Sequence, residues 1–249
     1  MINLIILAAG RGSRLKKTTK SIPKGLVKIR NNKTILDFQI EILKKIVKSK
    51  IIIVTGFQKN KLIRKFNKEN FLYIFNKNWN KTNMMYSLYC ADKYLKKNPC
   101  IVLYSDIIYS KNIISKMIKN KKDLSLAYDI NWLSLWKSRF DKPELDAESF
   151  FINKKNKITE IGKKVSKKEL KNIKGQYMGI VKIYPQAWEL IKKKFTLAEI
   201  KNNHLTHILD KIINNKIMPV YGVKNTDAWY EIDNNKDLRL ARKNINRFT

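Results

Sequence analysis

Nine residues near the N-terminus carry the most chemistry: Leu7-Ala8-Ala9-Gly10-Arg11-Gly12-Ser13-Arg14-Leu15. They follow directly on the apolar run Ile2–Leu7, which reads as a buried strand. Small residues at the carboxyl end of such a strand let backbone N–H groups come close to phosphate oxygens. Gly10 and Gly12 are expected to supply positive φ angles. Ser13 and Arg14 add side-chain donors, and Lys24, behind Pro23, returns a cation ten residues past Arg14. The string is no Walker A loop, because its lysine comes too late. It is no Rossmann fingerprint either, because the glycines are incomplete. The glycines alone would also suit an ordinary turn at a strand end.

Two aspartates invite a cation. Asp106 follows the apolar run Cys100–Tyr104, and Asp233 follows Trp229-Tyr230-Glu231-Ile232. Two carboxylates at one sheet edge suit Mg²⁺, which takes one or two carboxylates together with substrate phosphates and water. Taken singly, each would serve equally as a turn or cap residue. Asn83, at the start of a helix, carries both an amide donor and an acceptor and so could read a base edge, or simply cap the helix. No Ser/His/Asp or Cys/His set stands out. His204 and His207 fall on a polar helix, and Cys90 and Cys100 read as reduced core residues.

These residues need a scaffold that gathers strand ends. Buried strands are expected over 2–7, 50–55, 71–75, 100–104 and 124–128, with helices over 34–48, 60–68, 83–96 and 111–120 between them. Such alternation implies right-handed crossovers and a mostly parallel sheet covered on both faces, a Rossmann-like α/β/α fold. After Trp132 the pattern changes to short strands near 150–152, 157–161 and 175–183. Helices follow near 186–194 and 204–214, strands near 218–223 and 229–232, and a terminal helix over 236–247. The expectation is one domain with a β-rich elaboration at about 140–185.

The formal charge is +33 over 249 residues, which invites a nucleic-acid partner. Yet 45 of the 53 basic residues are lysine and 8 are arginine, spread along the chain and mixed with Asn and Ile. Arginine is the residue suited to bidentate phosphate and base recognition, so no nucleic-acid partner is expected. A field of this sign would still steer small anions. No apolar run approaches the length of a membrane span, and the N-terminus lacks a basic leader. A cytoplasmic protein is expected, as a monomer or homodimer.

The glycine string with Pro23-Lys24 resembles the signature of nucleotidyltransferases that activate sugar phosphates and head-group phosphates. The resemblance implies that Leu7, Ala8, Ala9 and Gly10 lie beside base and ribose. It implies that Gly12, Ser13 and Arg14 hold a triphosphate and that Lys24 meets the reacting phosphates. Gly25 departs from the larger residue common there. Asp106, with Ser105 beside it, and Glu231-Ile232-Asp233 match the family's metal-binding positions. Thr82-Asn83-Met84-Met85-Tyr86-Ser87-Leu88 is similar to an element of the phosphocholine cytidylyltransferase branch, which implies CTP. A further set recurs in relatives acting on phosphonates or phosphorylated amino-acid derivatives. It comprises Asp129, Trp132, Trp136, Arg139, Asp146, Glu148, Ile161-Gly162-Lys163-Lys164 and Gly175-Gln176-Tyr177-Met178-Gly179. Within it Asp129, Trp136, Arg139, Glu148, Lys163, Tyr177 and Gly179, with Glu231, are expected around the acceptor. Aromatic rings and carboxylates would hold an amine, Lys163 would meet the acceptor phosphate, and Gly179 would let backbone approach the ligand. The implied reaction is Mg²⁺-dependent transfer of CMP from CTP to a small phosphorylated metabolite. Two other outcomes stay open: a hexose-1-phosphate nucleotidyltransferase using UTP or dTTP, and a basic nucleic-acid-binding protein.

Overall fold

The computed structural model describes residues 2–46 and 49–248. In its first half β1 (Asn3–Ala8) precedes a short hairpin, β2 (Lys28–Arg30) and β3 (Lys33–Thr34). Then follow α1 (Ile35–Ile46), β4 (Ile51–Thr55), α2 (Lys59–Lys65), β5 (Leu72–Phe75), α3 (Met84–Tyr89) and α4 (Asp92–Leu95). The expected helix over 34–48 is thus α1, and Val47 and Lys48 lie outside the described residues. Thr34 caps it: its hydroxyl accepts from the Asp37 N–H at 3.3 Å, and the Asp37 carboxylate accepts from the Thr34 N–H at 2.7 Å. The helix expected over 83–96 is broken, because Ala91 leaves helical angles at φ −91°, ψ 12°.

Next come β6 (Cys100–Tyr104), β7 (Ile107–Tyr109), α5 (Lys111–Lys119), β8 (Leu124–Asp129) and α6 (Trp132–Arg139). They are followed by β9 (Glu148–Ile152), β10 (Ile158–Lys164), β11 (Gln176–Ile183), α7 (Pro185–Lys194) and α8 (Leu197–Asn202). The chain closes with α9 (Leu205–Asn214), β12 (Tyr221–Asn225), β13 (Trp229–Glu231) and α10 (Asn235–Asn244). Seven strands form one sheet in the order β12-β8-β11-β6-β1-β4-β5. All its pairings are parallel except those of β11 with β6 and β8. The elaboration is therefore the separate β9–β10 hairpin, while the last strand expected in it, β11, belongs to the main sheet.

β1 is flanked by β4 on one side and β6 on the other. The strand order reverses there, so the loop leaving β1 opens at a topological switch point, where ligands of open α/β sheets bind. β1, β4 and β6 are almost wholly buried, consistent with helices on both faces. A second, smaller core joins both ends of the chain: Leu15, Val27, Ile35, Phe38, Ile108, Ile232, Leu238 and Ala241 pack together. That cluster anchors the glycine loop to the segment carrying Asp233. Among the described residues no helix is long and apolar enough to cross a membrane.

Candidate functional site

The loop leaving β1 stays close to the sheet because Ala8 and Ala9 are small and buried. The Ala9 carbonyl accepts the Phe57 N–H at 2.9 Å. Gly12 alone of the two glycines has a positive φ, +71°, so the expectation for Gly10 is corrected. A Cβ at Gly12 would sit 2.8 Å from the Cβ of Lys24, so this glycine provides both the turn and the space for the lysine stem. Gly25 has a packing reason as well: a Cβ there would meet Leu36 Cγ at 2.7 Å. Ser13 and Arg14 are exposed on the loop.

Asp106 and Asp233 meet because β7 and β13 pair antiparallel, with Ile107 opposite Glu231. The Ile232 N–H donates to the Asp106 carbonyl at 2.9 Å, so the two aspartates leave one ribbon side by side. Gln39, buried on α1, holds the turn before β7. Its amide donates to the carbonyls of Tyr104 at 2.9 Å and Ile107 at 2.6 Å, on either side of Ser105-Asp106. Lys24 Nζ then lies 2.6 Å from Asp106 Oδ2 and 2.6 Å from Asp233 Oδ1. Arg14 reaches Asp233 Oδ1 at 2.8 Å. Arg139 closes the cluster from behind, with Glu231 at 3.2 Å, Asp233 at 3.4 Å and Asp237 at 3.1 Å.

The electrostatics follow from burial and pairing. Burial alone would lower the Lys24 pKa, but the charges and hydrogen bonds of Asp106 and Asp233 overcome it and hold the ammonium above its ordinary range. Burial would raise Asp233, yet Lys24, Arg14 and Arg139 bring it below the usual carboxylate value. Glu231 goes the other way, pushed up to about 8 by burial and by the Asp233 charge, against the pull of Arg139. A hard divalent cation fits this donor set. Two carboxylates converge on one point, and Asp106 Oδ1 is a buried oxygen without a hydrogen-bond partner. Among the described residues no cluster of three or more His, Cys, Asp or Glu forms a metal cage. A cation held by these two carboxylates alone would have coordination positions open to other oxygen ligands.

Beside the aspartates lies a cavity of about 190 Å³ lined by Tyr104, Trp136, Asp146, Glu148, Tyr177 and Glu231 among others. Arg14 and Asp233 line it too, so it opens onto the Lys24 cluster. The Asp146 and Glu148 carboxyls are raised above their ordinary values, chiefly by burial.

Residues 4–131 match the family of MobA-like NTP transferase domains. The chain is also 32% identical to CTP:phosphoglutamine cytidylyltransferase of Campylobacter jejuni, over 96% of this chain and 98% of that one. The protein belongs to the MobA-like nucleotidyltransferase family. Choline-phosphate cytidylyltransferase of Haemophilus influenzae is 26% identical over 86% of this nucleotidyltransferase and 99% of its own length. The solved inositol-1-phosphate CTP transferase of T. maritima superposes with a TM-score of 0.77 at 18% identity, covering 99% of this chain and 95% of that one. It shares the fold.

Of the acceptor residues expected from sequence, the nucleotidyltransferase brings Trp136, Glu148, Tyr177, Gly179 and Glu231 to the cavity wall. Arg139 stands behind it, its guanidinium over the Trp136 ring at 4.9 Å. Asp129 is elsewhere. It is 3% exposed, and its carboxylate accepts the Trp229 indole N–H at 2.9 Å, which makes it a packing partner. Lys163 is also outside: a bulge at Gly162, φ +83°, breaks the strand's alternation and leaves Lys163 in solvent, paired with Glu160 at 3.0 Å. Gly179 serves the protein's own packing, since with φ +73° it makes room for the Tyr104 ring, which a Cβ would meet at 2.8 Å.

Asn83 is an N-cap, accepting from Met84 at 3.1 Å and donating to the Asn202 carbonyl at 3.2 Å. Thr82 donates to the Asn78 carbonyl at 2.8 Å, which shapes the loop before α3. Sequence reasoning missed Tyr104, Thr206, Phe57 and Trp79. The last two pack edge to face at 5.3 Å beside the Ala9 backbone, and Thr206 lines the cavity from α9. Isolated aromatics carry no local signal that distinguishes a site wall from core.

Proposed function

We propose that this nucleotidyltransferase transfers CMP from CTP to a small phosphorylated or phosphonate acceptor bearing an ammonium group. The single observation behind the acceptor is the cavity beside Lys24. In a chain of charge +33 it gathers Asp146, Glu148, Glu231 and Asp233 with the rings of Tyr104, Trp136 and Tyr177. A cation set among them would offset the burial, and the lesser mutual repulsion, that raise Asp146, Glu148 and Glu231, and would gain from the ring faces. The cytidylyltransferase relatives, one named for phosphoglutamine and another for choline phosphate, support CTP and this acceptor class.

An acceptor oxygen attacks the α-phosphorus in line, the bond to the bridging oxygen breaks, and pyrophosphate leaves. A phosphate monoester is largely ionised near neutral pH, so no general base is required. The backbone from Ala8 to Ser13 cradles the triphosphate. Lys24 and Arg14 offset the charge on the attacked and leaving phosphates. Ser105 lies in the turn beside this cradle, and Asn83 has one amide hydrogen and one lone pair beyond its cap to offer a cytosine edge. Asp106 and Asp233 would hold Mg²⁺, which supplies charge neutralisation at phosphate oxygens when bound. Arg139 keeps Glu231 and Asp233 in place. A cytoplasmic location goes with this reading, because CTP is an intracellular substrate.

The test is a matrix of the four NTPs against phosphocholine, phosphoethanolamine, 2-aminoethylphosphonate, glutamine phosphate and glucose 1-phosphate, read as pyrophosphate. CTP with an ammonium-bearing acceptor should give the signal. Turnover confined to UTP or dTTP with the hexose phosphate would overturn the proposal.

A further inference from the structure

We infer that Lys24 occupies the charge position of the divalent cation, so that metal enters only as the triphosphate draws Lys24 away. The inference rests on the nucleotidyltransferase reading above. Two carboxylates from distant parts of the chain each place an oxygen 2.6 Å from the same Nζ, and the lysine side chain is 9% exposed. Carboxylates that close together in a buried place need a counter-charge. A hard divalent cation needs the same oxygens, and it cannot share the point with an ammonium.

Because Lys24 is tethered, it competes at high effective concentration against any free ion. Metal alone should therefore bind poorly. A triphosphate changes the balance by offering the lysine new partners. The Lys24 stem already lies against the turn at Gly12, so close that a Cβ there would fall 2.8 to 3.0 Å from its Cβ, Cγ and Cδ. The ammonium can thus move to the phosphate side by rotating its outer bonds alone. Arg14 is placed similarly: it shares Asp233 Oδ1 with Lys24, yet its side chain is 66% exposed and free to turn. Both phosphate-side cations thus rest on a metal-side carboxylate, while Asp106 Oδ1 stays unpartnered beside them. Cation and nucleotide binding become one coupled event.

The experiment measures Mn²⁺ binding to the full chain by electron paramagnetic resonance, without nucleotide. Wild type is compared with Lys24→Met, Lys24→Gln and the surface control Lys163→Met. The Lys24 variants should bind one Mn²⁺ on the order of tenfold more tightly than wild type or the control. A CTP analogue with a non-cleavable α–β linkage should tighten Mn²⁺ binding to wild type and do less for Lys24→Met. Equal or weaker Mn²⁺ binding by the Lys24 variants overturns the inference. If those variants are unstable, thermal melts decide: stabilisation by Mn²⁺ greater than in wild type supports it. Variants that remain unfolded at saturating Mn²⁺ show a counter-ion that metal cannot replace, which also overturns it. Pyrophosphate release by wild type is scored separately, so failure of the catalytic proposal and failure of the lysine's role are distinguishable.

Discussion

At the scale of single residues, Gly12 couples backbone to chemistry. Its left-handed φ of +71° would cost an alanine about 1–2 kcal/mol, and the added methyl would press on the Lys24 stem. Gly12→Ala should therefore lower turnover well beyond its modest effect on the melting temperature, which parallel activity assays and thermal melts would show. An activity loss no larger than the stability loss accounts for would count against the packing of Lys24 on this turn. Arg139 acts differently. It is 2% exposed and faces Glu231, Asp233 and Asp237, so its removal leaves three carboxylates without their shared cation. Arg139→Met should lose about 3–5 kcal/mol in urea unfolding. Arg139→Lys should recover little, because a single ammonium cannot span the fork.

At the scale of elements, three segments converge: the loop after β1, the β6–β7 turn and the end of β13. The turn is held by α1 through Gln39, whose amide bridges the Tyr104 and Ile107 carbonyls. Gln39→Leu should leave both carbonyls without that donor, destabilise the chain by about 1–3 kcal/mol and free Asp106 to wander. The Mg²⁺ concentration for half-maximal activity should then rise more than the KM for the acceptor. Equal changes in both would mean that Gln39 supports the fold without positioning Asp106. The local signal was uneven at this scale. Apolar runs marked β1, β4, β6 and β8, whereas α6 went unread although Trp132, Trp136 and Arg139 sit at helical spacing. The reason is that a buried arginine breaks the apolar period by which amphipathic helices are recognised.

At the scale of the whole molecule, the charge of +33 must act over long range, because few of the lysines belong to the site. Raising salt from low to about 0.15 M shortens the screening length to about 8 Å. Self-repulsion should fall and the melting temperature rise, while kcat/KM for the anionic nucleotide should decline as steering is lost. A salt-independent kcat/KM would show that the field does not guide substrate. Binding to DNA, if any, should be sequence-blind and vanish over the same range.

The sequence by itself determined the parallel sheet, the glycine loop with Lys24, and the two aspartates as strand-end residues. Those features are encoded locally, in continuous apolar runs and in spacings of a few residues. Only the tertiary structure decided what met what. The β7–β13 pairing sets Asp106 beside Asp233, a bulge at Gly162 turns Lys163 into solvent, and Trp229 claims the carboxylate of Asp129. Each is a contact between residues far apart in the chain, or a one-residue shift in strand register, and neither leaves a periodic mark in the order of amino acids.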